Sequence, residues 1–559
     1  MNETITSPVS TATARVAQMF PTLTSTQVER IASHGKRRTT QHGELLYDVG
    51  TLPVPFVVVS RGAIELLHPH EGTERLIQAL GPGQFSGELN LLSGRRALAR
   101  ARVRDPGEVI VLEREELLRL VQTDFDLSEI LMRAFILRRV ALMEEGLGDV
   151  VVIGSKFCSG TLRVREFLSR NAHPYAYFDL EQDAEVQHLL DQFHVSVDDI
   201  PVLICRGELV LRNPGIAEIA ECLGLNESVA NTQVRDVLVI GAGPSGLAAA
   251  VFAASEGLDV LVMEANVPGG QAGASSKIEN FFGFPTGITG QALTGRAFVQ
   301  AQKFGAQVIV ASCAQKLARN RKPYAIESST GQTVQARTVI VASGAAYRKP
   351  QISNLSRFEG AGVYYAATFM ESQLCRDEEV IVIGGGNSAG QAAVFLAQTA
   401  KRVHILIRGN GLADTMSRYL ILRIEQDPNI ELHTHSELTA LEGSNHVERA
   451  QWRNKQTGEE RSSKIRHVFI MAGADPSTDW LKGCLALDSK GFIKTGSALS
   501  DEELRDAKWP LARRPLLLET SLPGVFAVGD VRGGNVKRVA SAVGEGSISI
   551  AFVHQVLSE

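Results

Sequence analysis

One stretch near the middle of the chain, VRDVLVIGAGPSG at 234–246, constrains the fold most strongly. The apolar run VLVI predicts a buried strand, and Gly241, Gly243 and Gly246 form a G-x-G-x-x-G turn. In such a turn the first glycine makes the tight turn, the second lets the backbone approach a pyrophosphate, and the third lets the next helix pack on the strand. That helix, LAAAVFAAS, directs unpaired N–H groups and its positive dipole end at the phosphates. Glu264 follows Gly246 by 18 residues, a spacing that suits a hydrogen bond to a ribose. The segment therefore predicts a dinucleotide site.

A second glycine turn indicates redox chemistry as well as binding. The segment EVIVIGGGNSAGQAAVFLA repeats the order of strand, turn and small-residue helix, with Gly384, Gly386 and Ala389 at the three small positions. A third segment, ETSLPGVFAVGDV, ends an apolar strand in Gly529 and Asp530, whose carboxylate suits the ribityl chain of a flavin. Two dinucleotide sites in one chain suggest FAD plus a nicotinamide.

These residues resemble the two-dinucleotide-fold flavoprotein reductases, most closely the low-molecular-weight thioredoxin reductases, over about residues 234–559. The shared motifs stand in the family's order: GAGPSG, GGQAG, IENFFGFP, VIVASGA, GGGNSA, FIMAGADPST and VFAVGD. The resemblance implies two dinucleotide-binding three-layer ββα/αβ domains, an FAD domain split into 234–347 and 480–559 with an NAD(P)H domain at 348–479 between its halves, and a homodimer. It assigns FAD contacts to Gly241, Gly243, Pro244, Ser245, Gly246, Glu264, Gly270, Gln271, Asn280, Ala342, Gly344, Gly529, Asp530, Arg538, Val539 and Ala540, and NAD(P)H contacts to Gly386, Asn387, Ser388, Ala389 and Arg408.

The chain departs from the family at the redox-active cysteines. A thioredoxin reductase carries Cys-x-x-Cys just before the first strand of its nicotinamide domain. The matching stretch, GVYYAATFMES, has Ala366 and Phe369 at the cysteine positions and Met370 where an acid would follow. Disulfide exchange needs a thiolate nucleophile and a resolving partner. We therefore expect this part of the chain not to reduce thioredoxin by the family's mechanism.

The chain also departs from the family near the flavin ring and at the 2′-phosphate site of NADPH. The Arg-Gln-Ala that lies near the isoalloxazine in the family is Arg538-Val539-Ala540 here, which removes a polar side chain. The family holds the 2′-phosphate of NADPH with a His-Arg-Arg cluster and one further arginine. Here the run is Ile407-Arg408-Gly409, with Ala413 at the later site and Arg418 as a candidate substitute. The sequence therefore leaves open whether the nicotinamide cofactor is NADPH or NADH.

Composition limits the other function classes. At 559 residues the chain has room for about three or four domains. A net charge of −5 and a pI near 6.3 give no sign of nucleic-acid binding. The N-terminus has no apolar core of a signal peptide, and no run reaches the ~18 apolar residues of a membrane span. The six cysteines show neither C-x-x-C nor metal-ligand spacing. We expect no metal site, cysteines that mostly serve as small core residues, and a cytoplasmic protein.

The first 147 residues predict a domain of their own. Short apolar runs from about Gly43 to Val111, separated by Gly- and Pro-rich turns, predict an antiparallel β-roll, and 115–146 predicts a helix. The stretch 81–103 is similar to the phosphate-binding cassette of cyclic-nucleotide-binding domains, with Gly87 and Glu88 at the effector positions. The family's phosphate-binding arginine falls on Ala97, although Arg95, Arg96 and Arg100 are near. Cyclic AMP binding, another ligand, and a structural or dimerising role therefore all remain open.

Residues 148–230 predict a third domain, with the order strand, turn, helix, strand, then a hairpin and a final helix. The pattern is similar to the thioredoxin/glutaredoxin fold, with Cys158 at the redox position and Pro201 at the place of the cis-proline. A helix N-terminus lowers a thiol pKa, but one cysteine cannot run a dithiol cycle. A monothiol role and an inert docking role both remain, and 225–234 is interpreted as a linker.

The sequence thus predicts a multidomain protein: a β-roll with helices, a thioredoxin-like α/β domain and a thioredoxin-reductase-like flavoenzyme. The first hypothesis is an NAD(P)H oxidoreductase that passes electrons from FAD to a small-molecule or protein acceptor, such as a quinone, a flavodoxin-like or iron–sulfur carrier, dioxygen or a small disulfide. The second is a redox or nucleotide sensor. The third is disulfide reduction through Cys158.

Overall fold

The computed structural model describes residues 15–559 except 71–72, 157, 181–198, 208, 228, 230–232, 320–321 and 353. The N-terminal segment judged not to be a signal peptide lies largely outside the described residues, as does part of the predicted linker. No helix in the described ranges is long and apolar enough to cross a lipid bilayer.

The N-terminal module is an antiparallel sheet with helices against it. Its strands run in the order β1-β5-β3-β4, and β2 pairs with β5. Phe56, Phe85 and Phe135 meet in its core with ring centroids 5.7–6.2 Å apart. The elements are β1 (Lys36–Thr39), β2 (Leu45–Tyr47), β3 (Phe56–His70), β4 (Thr73–Leu80), β5 (Arg100–Leu112), α1 (Ser25–Ala32), α2 (Asn90–Ser93), α3 (Arg114–Thr123) and α4 (Phe125–Glu144).

The helix predicted over 115–146 is wrong in one respect, because the structure divides it at Asp124. The Asp124 side chain accepts a hydrogen bond from the Leu127 N–H at 3.1 Å and so caps α4. An aspartate competes with helical backbone bonding in this way. Helical periodicity on both sides of the break conceals it in the sequence.

The middle module, residues 150–223, has a four-stranded sheet in the order β7-β6-β8-β9. Strands β6 and β7 are parallel, whereas β8 and β9 run antiparallel to their neighbours. Cys205 and Cys222 are joined as a disulfide, a pairing that the expectation of cysteines serving mostly as small core residues did not include. The elements are β6 (Val150–Gly154), α5 (Ser159–Arg170), β7 (Ala176–Asp179), β8 (Val202–Cys205), β9 (Leu209–Arg212) and α6 (Ile216–Leu223).

The first dinucleotide-binding sheet has the order β12-β11-β10-β15-β14-β13. Strands β10, β11, β12 and β15 are parallel and buried, as their near-continuous apolar sequences predict. The elements are β10 (Val234–Ile240), α7 (Pro244–Ser255), β11 (Val260–Met263), α8 (Gly270–Gly273), α9 (Gly290–Lys303), β12 (Gln307–Ile309), β13 (Ala314–Ala318), β14 (Tyr324–Ser328) and β15 (Thr333–Val341).

The second dinucleotide-binding sheet is parallel, in the order β17-β24-β18-β19-β20, and a three-stranded antiparallel sheet accompanies it. The two connections between this part and the first sheet run side by side as the antiparallel pair β16 and β25. The elements are β16 (Ala345–Tyr347), β17 (Val363–Tyr364), α10 (Phe369–Leu374), β18 (Glu379–Ile383), α11 (Asn387–Leu396), β19 (Arg402–Leu406), α12 (Arg418–Gln426), β20 (Ile430–His433), β21 (Ser436–Glu442), β22 (Arg449–Asn454), β23 (Glu460–Ser463), β24 (His467–Ile470) and β25 (Ala474–Pro476).

The C-terminal part returns to the first sheet and completes it. Strand β26 (Val525–Ala527) adds parallel to β15, and the elements α13 (Asp501–Asp506) and α14 (Val539–Ser558) flank it. Helix α14 packs closely on α7, and Gly546 permits this approach. A Cβ on Gly546 would lie only 2.2 Å from the Ser245 carbonyl oxygen. Two distant stretches of sequence therefore share one core.

Candidate active site and its cofactor grooves

The turn between β10 and α7 requires glycine at two of its three motif positions. Gly241 has φ +108°, and a Cβ there would lie 2.4 Å from the Ala342 carbonyl oxygen. A Cβ on Gly246 would lie 1.8 Å from the Gly241 carbonyl oxygen. Gly243 differs, because a Cβ there would meet nothing nearer than Gly270 Cα at 3.9 Å. Gly243 therefore leaves open space above the turn, where a ligand backbone can approach.

Glu264 lies at the end of β11 and braces this turn. Its buried carboxylate accepts hydrogen bonds from the Ala242 N–H at 2.6 Å and the Asn266 N–H at 2.9 Å. Burial raises the pKa of Glu264, and the backbone hydrogen bonds oppose that rise. A carboxylate has about four acceptor positions, so the group retains capacity for a ribose hydroxyl.

Residues from distant parts of the sequence meet at the same edge of the sheet. A Cβ on Gly270 would lie 3.0 Å from Gly243 Cα, and a Cβ on Gly529 would lie 2.5 Å from Ser245 Oγ. Asp530 follows directly, and burial raises the pKa of its carboxyl while the Lys537 ammonium opposes the rise. These residues, which the sequence analysis named separately, form one groove that side chains would fill. The residues present fit an FAD.

The remaining predicted FAD residues lie around this groove with different surroundings. Gln271 donates its side-chain amide to the Ala345 carbonyl oxygen, and Pro244 is the first residue of α7. Asn280, Arg538 and Ala540 are exposed, and Val539 is half-buried. Arg538 caps α14, so residues 538–540 form the N-terminus of a 20-residue helix. Gly344 has open space at its Cβ position.

The second glycine turn, between β18 and α11, repeats the first. Gly384 has φ +141°, and a Cβ there would lie 2.5 Å from the Met471 carbonyl oxygen, whereas Gly386 has open space. The Asn387 side chain accepts a hydrogen bond from the Ser417 N–H at 2.7 Å, and Ala389 is buried beneath the turn. Burial raises the pKa of Tyr347, and the nearby Ser388 side chain opposes that rise. The turn therefore leaves a second groove for a dinucleotide, and Arg408 stands exposed just beyond β19.

Residues 235–546 match the family described as pyridine nucleotide-disulphide oxidoreductase, which is more than half of the chain. The chain belongs to this family. Residues 37–124 match the family described as cyclic nucleotide-binding domain. The protein is thus an FAD-dependent NAD(P)H oxidoreductase with an N-terminal cyclic-nucleotide-binding domain. We call residues 235–546 the reductase part.

The reductase part is similar to several thioredoxin reductases. That of Streptomyces clavuligerus is 33% identical over 317 residues, which cover 56% of this chain and 91% of the relative. That of Mycolicibacterium smegmatis is 31% identical over 326 residues, covering 58% and 97%. The crystal structure of T. acidophilum thioredoxin reductase is 27% identical with a TM-score of 0.52, covering 58% and 99%.

Ala366 and Phe369, which the sequence analysis aligned with the family's cysteine pair, lie at the start of α10. Ala366 lies before α10, and Phe369 is its first residue, with a side chain 71% exposed. Cys375, at the other end of α10, is fully buried, and burial raises its pKa to about 12. A thiol so protected remains protonated and is a poor nucleophile.

The effector positions of the cyclic-nucleotide-binding domain are already engaged within the chain. Arg139 Nε donates to the Glu88 carboxylate at 3.0 Å, and Arg138 donates to the Gly87 carbonyl oxygen at 2.7 Å. Ala97, which the sequence analysis placed at the position of the family's arginine, is buried. Arg100 is paired with Asp48 at 2.7 Å. A cyclic nucleotide would therefore have to displace internal partners.

The middle module contacts the reductase part close to Ala366 and Phe369. A Cβ on Gly360 would lie 2.4 Å from Ser159 Cβ, and Ser159 follows Cys158. Leu162 packs in one cluster with Tyr364, Ala367 and Cys375. Cys158 is the N-cap of α5 and is half-buried. The helix that carries Cys158 thus begins against the surface formed by Gly360 and the cluster around Ala367.

Sequence reasoning missed a cluster of two histidines and a carboxylate on neighbouring strands of the second sheet. His404 Nδ1 lies 3.0 Å from His433 Nε2, and a Glu431 oxygen lies 3.4 Å from that His433 nitrogen. Trp452 covers both imidazoles, with ring centroids 5.8 Å away. Parallel pairing of β19 with β20 brings these residues together. Because His404 and His433 are 29 residues apart in sequence, the cluster forms no motif and no signal identified it.

Proposed function

We propose that this chain couples the oxidation of NAD(P)H to the reduction of an acceptor without a dithiol in its reductase part. The observation that supports this most is the pair Ala366 and Phe369 at the start of α10, with Cys375 buried beneath. The acceptor is a small molecule or a protein, and nucleic acid and membrane are not proposed as partners.

The proposed cofactor contacts follow from the two grooves. Bound FAD supplies hydride uptake from a reduced nicotinamide and electron transfer to an acceptor. The N–H groups of the Gly241–Gly246 turn hold the pyrophosphate, Glu264 the ribose and Asp530 the ribityl chain. The Gly384–Ala389 turn holds the nicotinamide dinucleotide. We propose the domain limits 234–347 with 480–559 for FAD and 348–479 for NAD(P)H.

Anaerobic reduction followed by an acceptor screen tests this function. The purified protein should be yellow and keep a flavin spectrum after desalting. NADH or NADPH should bleach that spectrum without oxygen, and one acceptor class should restore it during steady turnover. A colourless protein that takes up no added FAD contradicts the proposal. Bleaching without turnover on any acceptor favours a sensor instead.

A second candidate is disulfide reduction through Cys158. The contact of Ser159 with Gly360 supports it, because it brings a thioredoxin-like module to the surface of the missing cysteine pair. We propose that residues 148–230 are this thioredoxin-like domain. Assays with NADPH and a set of thioredoxins should give only background activity if the first proposal holds.

A matched pair of cysteine variants separates the two candidates. Cys158→Ser should abolish any disulfide reduction that uses this thiol, whereas Cys313→Ser, at an exposed cysteine, should leave it unchanged. Fast thioredoxin reduction that survives Cys158→Ser contradicts both candidates. Loss of disulfide-reductase activity in Cys158→Ser, but not in Cys313→Ser, establishes the second candidate.

A further inference from the structure

A cavity of about 120 Å³ lies where the N-terminal module, the middle module and the reductase part meet. Its lining includes Ser93 and Arg95 from the first, Arg170 and Asn171 from the second, and Thr294 and Phe298 from the third. A single water needs about 10–15 Å³ of such volume. The cavity therefore has room for a group several times larger than water.

Arginines dominate the charge around this cavity, and two of them are neutralised. Arg139 pairs with the Glu88 carboxylate, and Arg170 pairs with Glu166 at 2.8 Å. Arg95 is different. Throughout the described residues, no carboxylate oxygen lies within 4.0 Å of its guanidinium, although the side chain is buried.

The hydrogen bonds of Arg95 are also incomplete. One Nη donates to the Asn171 carbonyl oxygen at 3.2 Å, and the guanidinium lies 5.8 Å above the Phe298 ring. Its Nε is buried with no partner within the described part of the chain. Burial, with repulsion from Arg139, lowers the pKa of Arg95 to about 10, while the more distant Glu88 and Glu227 act against this shift, so the group is still charged at neutral pH. A buried cation without a directly paired counter-ion is unfavourable.

We propose that this cavity binds a small oxyanion, of phosphate or carboxylate type, with Arg95 as its principal ligand. A guanidinium matches such anions through paired N–H donors. The Ser93 and Thr294 hydroxyl groups also line the cavity, although each already donates to a backbone carbonyl oxygen. The cavity adjoins the Gly87–Glu88 turn through Arg139, but it does not use the turn's own groups, which Arg138 and Arg139 engage.

The site is connected to the flavin groove by Arg170. This side chain borders the cavity and donates to the Gly270 carbonyl oxygen at 2.5 Å. Gly270 in turn faces Gly243 across the groove. An anion in the cavity would therefore bridge three modules and contact a residue that positions the cofactor loop.

Calorimetry with inorganic phosphate tests the site. The titration uses the full chain loaded with FAD, so that the pyrophosphate groove is filled, at constant ionic strength maintained with chloride. Parallel titrations with sulfate and acetate distinguish phosphate-type from carboxylate-type recognition. We expect saturable binding of at least one anion, weakened roughly ten- to hundredfold by Arg95→Met. The control is Arg119→Met, at an exposed arginine paired with Glu116.

A second variant keeps the test valid if Arg95→Met does not fold. Gly295 lines the cavity on α9, and a Cβ there would meet nothing within 4 Å. Leucine is a better helix former than glycine, so Gly295→Leu should fold, fill the cavity and abolish binding. Absence of binding for all three anions in the unmodified chain overturns the proposal. An isotherm unchanged in the folded variants overturns it as well.

Discussion

At the residue scale, a substitution at Gly243 should affect cofactor binding much more than folding. A Cβ there would have no neighbour nearer than 3.9 Å, yet it would point into the groove left for the pyrophosphate. We expect Gly243→Ala to change the unfolding free energy by less than ~1 kcal/mol but to weaken FAD binding by roughly ten- to hundredfold. Flavin content after desalting and apoprotein unfolding measure the two effects.

The matched comparison is Gly241→Ala. Its Cβ would lie 2.4 Å from a carbonyl oxygen at a φ of +108°, so this variant should destabilise the apoprotein by ~1–3 kcal/mol. Equal stability of the two variants would contradict this assignment of roles.

Ala97 governs the expected response to cyclic nucleotides. A methyl group replaces a guanidinium, which removes roughly ten- to hundredfold in affinity, and Glu88 is paired with Arg139. We expect cyclic AMP and cyclic GMP to bind weakly or not at all by calorimetry. Sub-micromolar binding of either would mean that Arg95, Arg96 or Arg100 has taken over the contact, and Ala97→Arg would then bring no gain.

Arg408 and Arg418 set the expected nicotinamide preference. Both are exposed, whereas Gly409 and Ala413 contribute no charge. We expect kcat/KM for NADPH to exceed that for NADH by less than about a thousandfold, ~4 kcal/mol. Initial rates with both cofactors measure the ratio. A larger ratio that Arg418→Ala abolishes would assign the 2′-phosphate contact to Arg418.

At the element scale, the sequence predicted what local pattern encodes. Strands β10 and β18, their glycine turns and helices α7 and α11 follow from apolar runs and glycine spacing. The break at Asp124 was missed because the helical period continues across it. The His404–His433 contact was missed because it depends on which strands pair, and the contact of Leu162 with Ala367 depends on how modules dock.

The paired histidines predict a pH dependence of the second sheet. Burial lowers the pKa of both His404 and His433 below the ordinary value near 6.5. Between the folded and unfolded pKa values the unfolded chain binds more protons, so stability is present above 6.5 and is lost as pH falls below it. Each histidine contributes at most ~1.4 kcal/mol per pH unit. The charged groups nearby, Glu379, Glu431, Arg402 and Arg461, modulate this effect.

Trp452 fluorescence in urea reports this transition, with Trp480 and Trp509 replaced by Phe. The urea concentration at the unfolding midpoint should be lower at pH 5.5 than at pH 7.5. This decrease should be smaller in the His404→Gln, His433→Gln double variant. The control is His554→Gln, at an exposed histidine. If the urea midpoint of the protein that retains both histidines does not change with pH, this explanation is wrong.

At the scale of the whole molecule, docking of the middle module depends on a small apolar contact. Leu162 is buried against the cluster around Ala367. We expect Leu162→Ser to weaken docking by ~2–3 kcal/mol and to speed amide exchange in α10, while Leu209→Ser, at an exposed leucine, should not. Unchanged exchange in α10 would mean that other contacts hold the module. The expected homodimer is testable by light scattering on the same samples.

The contact between Ser159 and Gly360 also has a consequence for access from solution. A domain joined to its binding surface by a short connection acts at an effective concentration that reaches the millimolar range. An external protein with the same intrinsic affinity for this face, present at micromolar concentration, would then occupy only a small fraction of it. Exchange at this face would be set by how often the chain's own module departs, rather than by how much external protein is present.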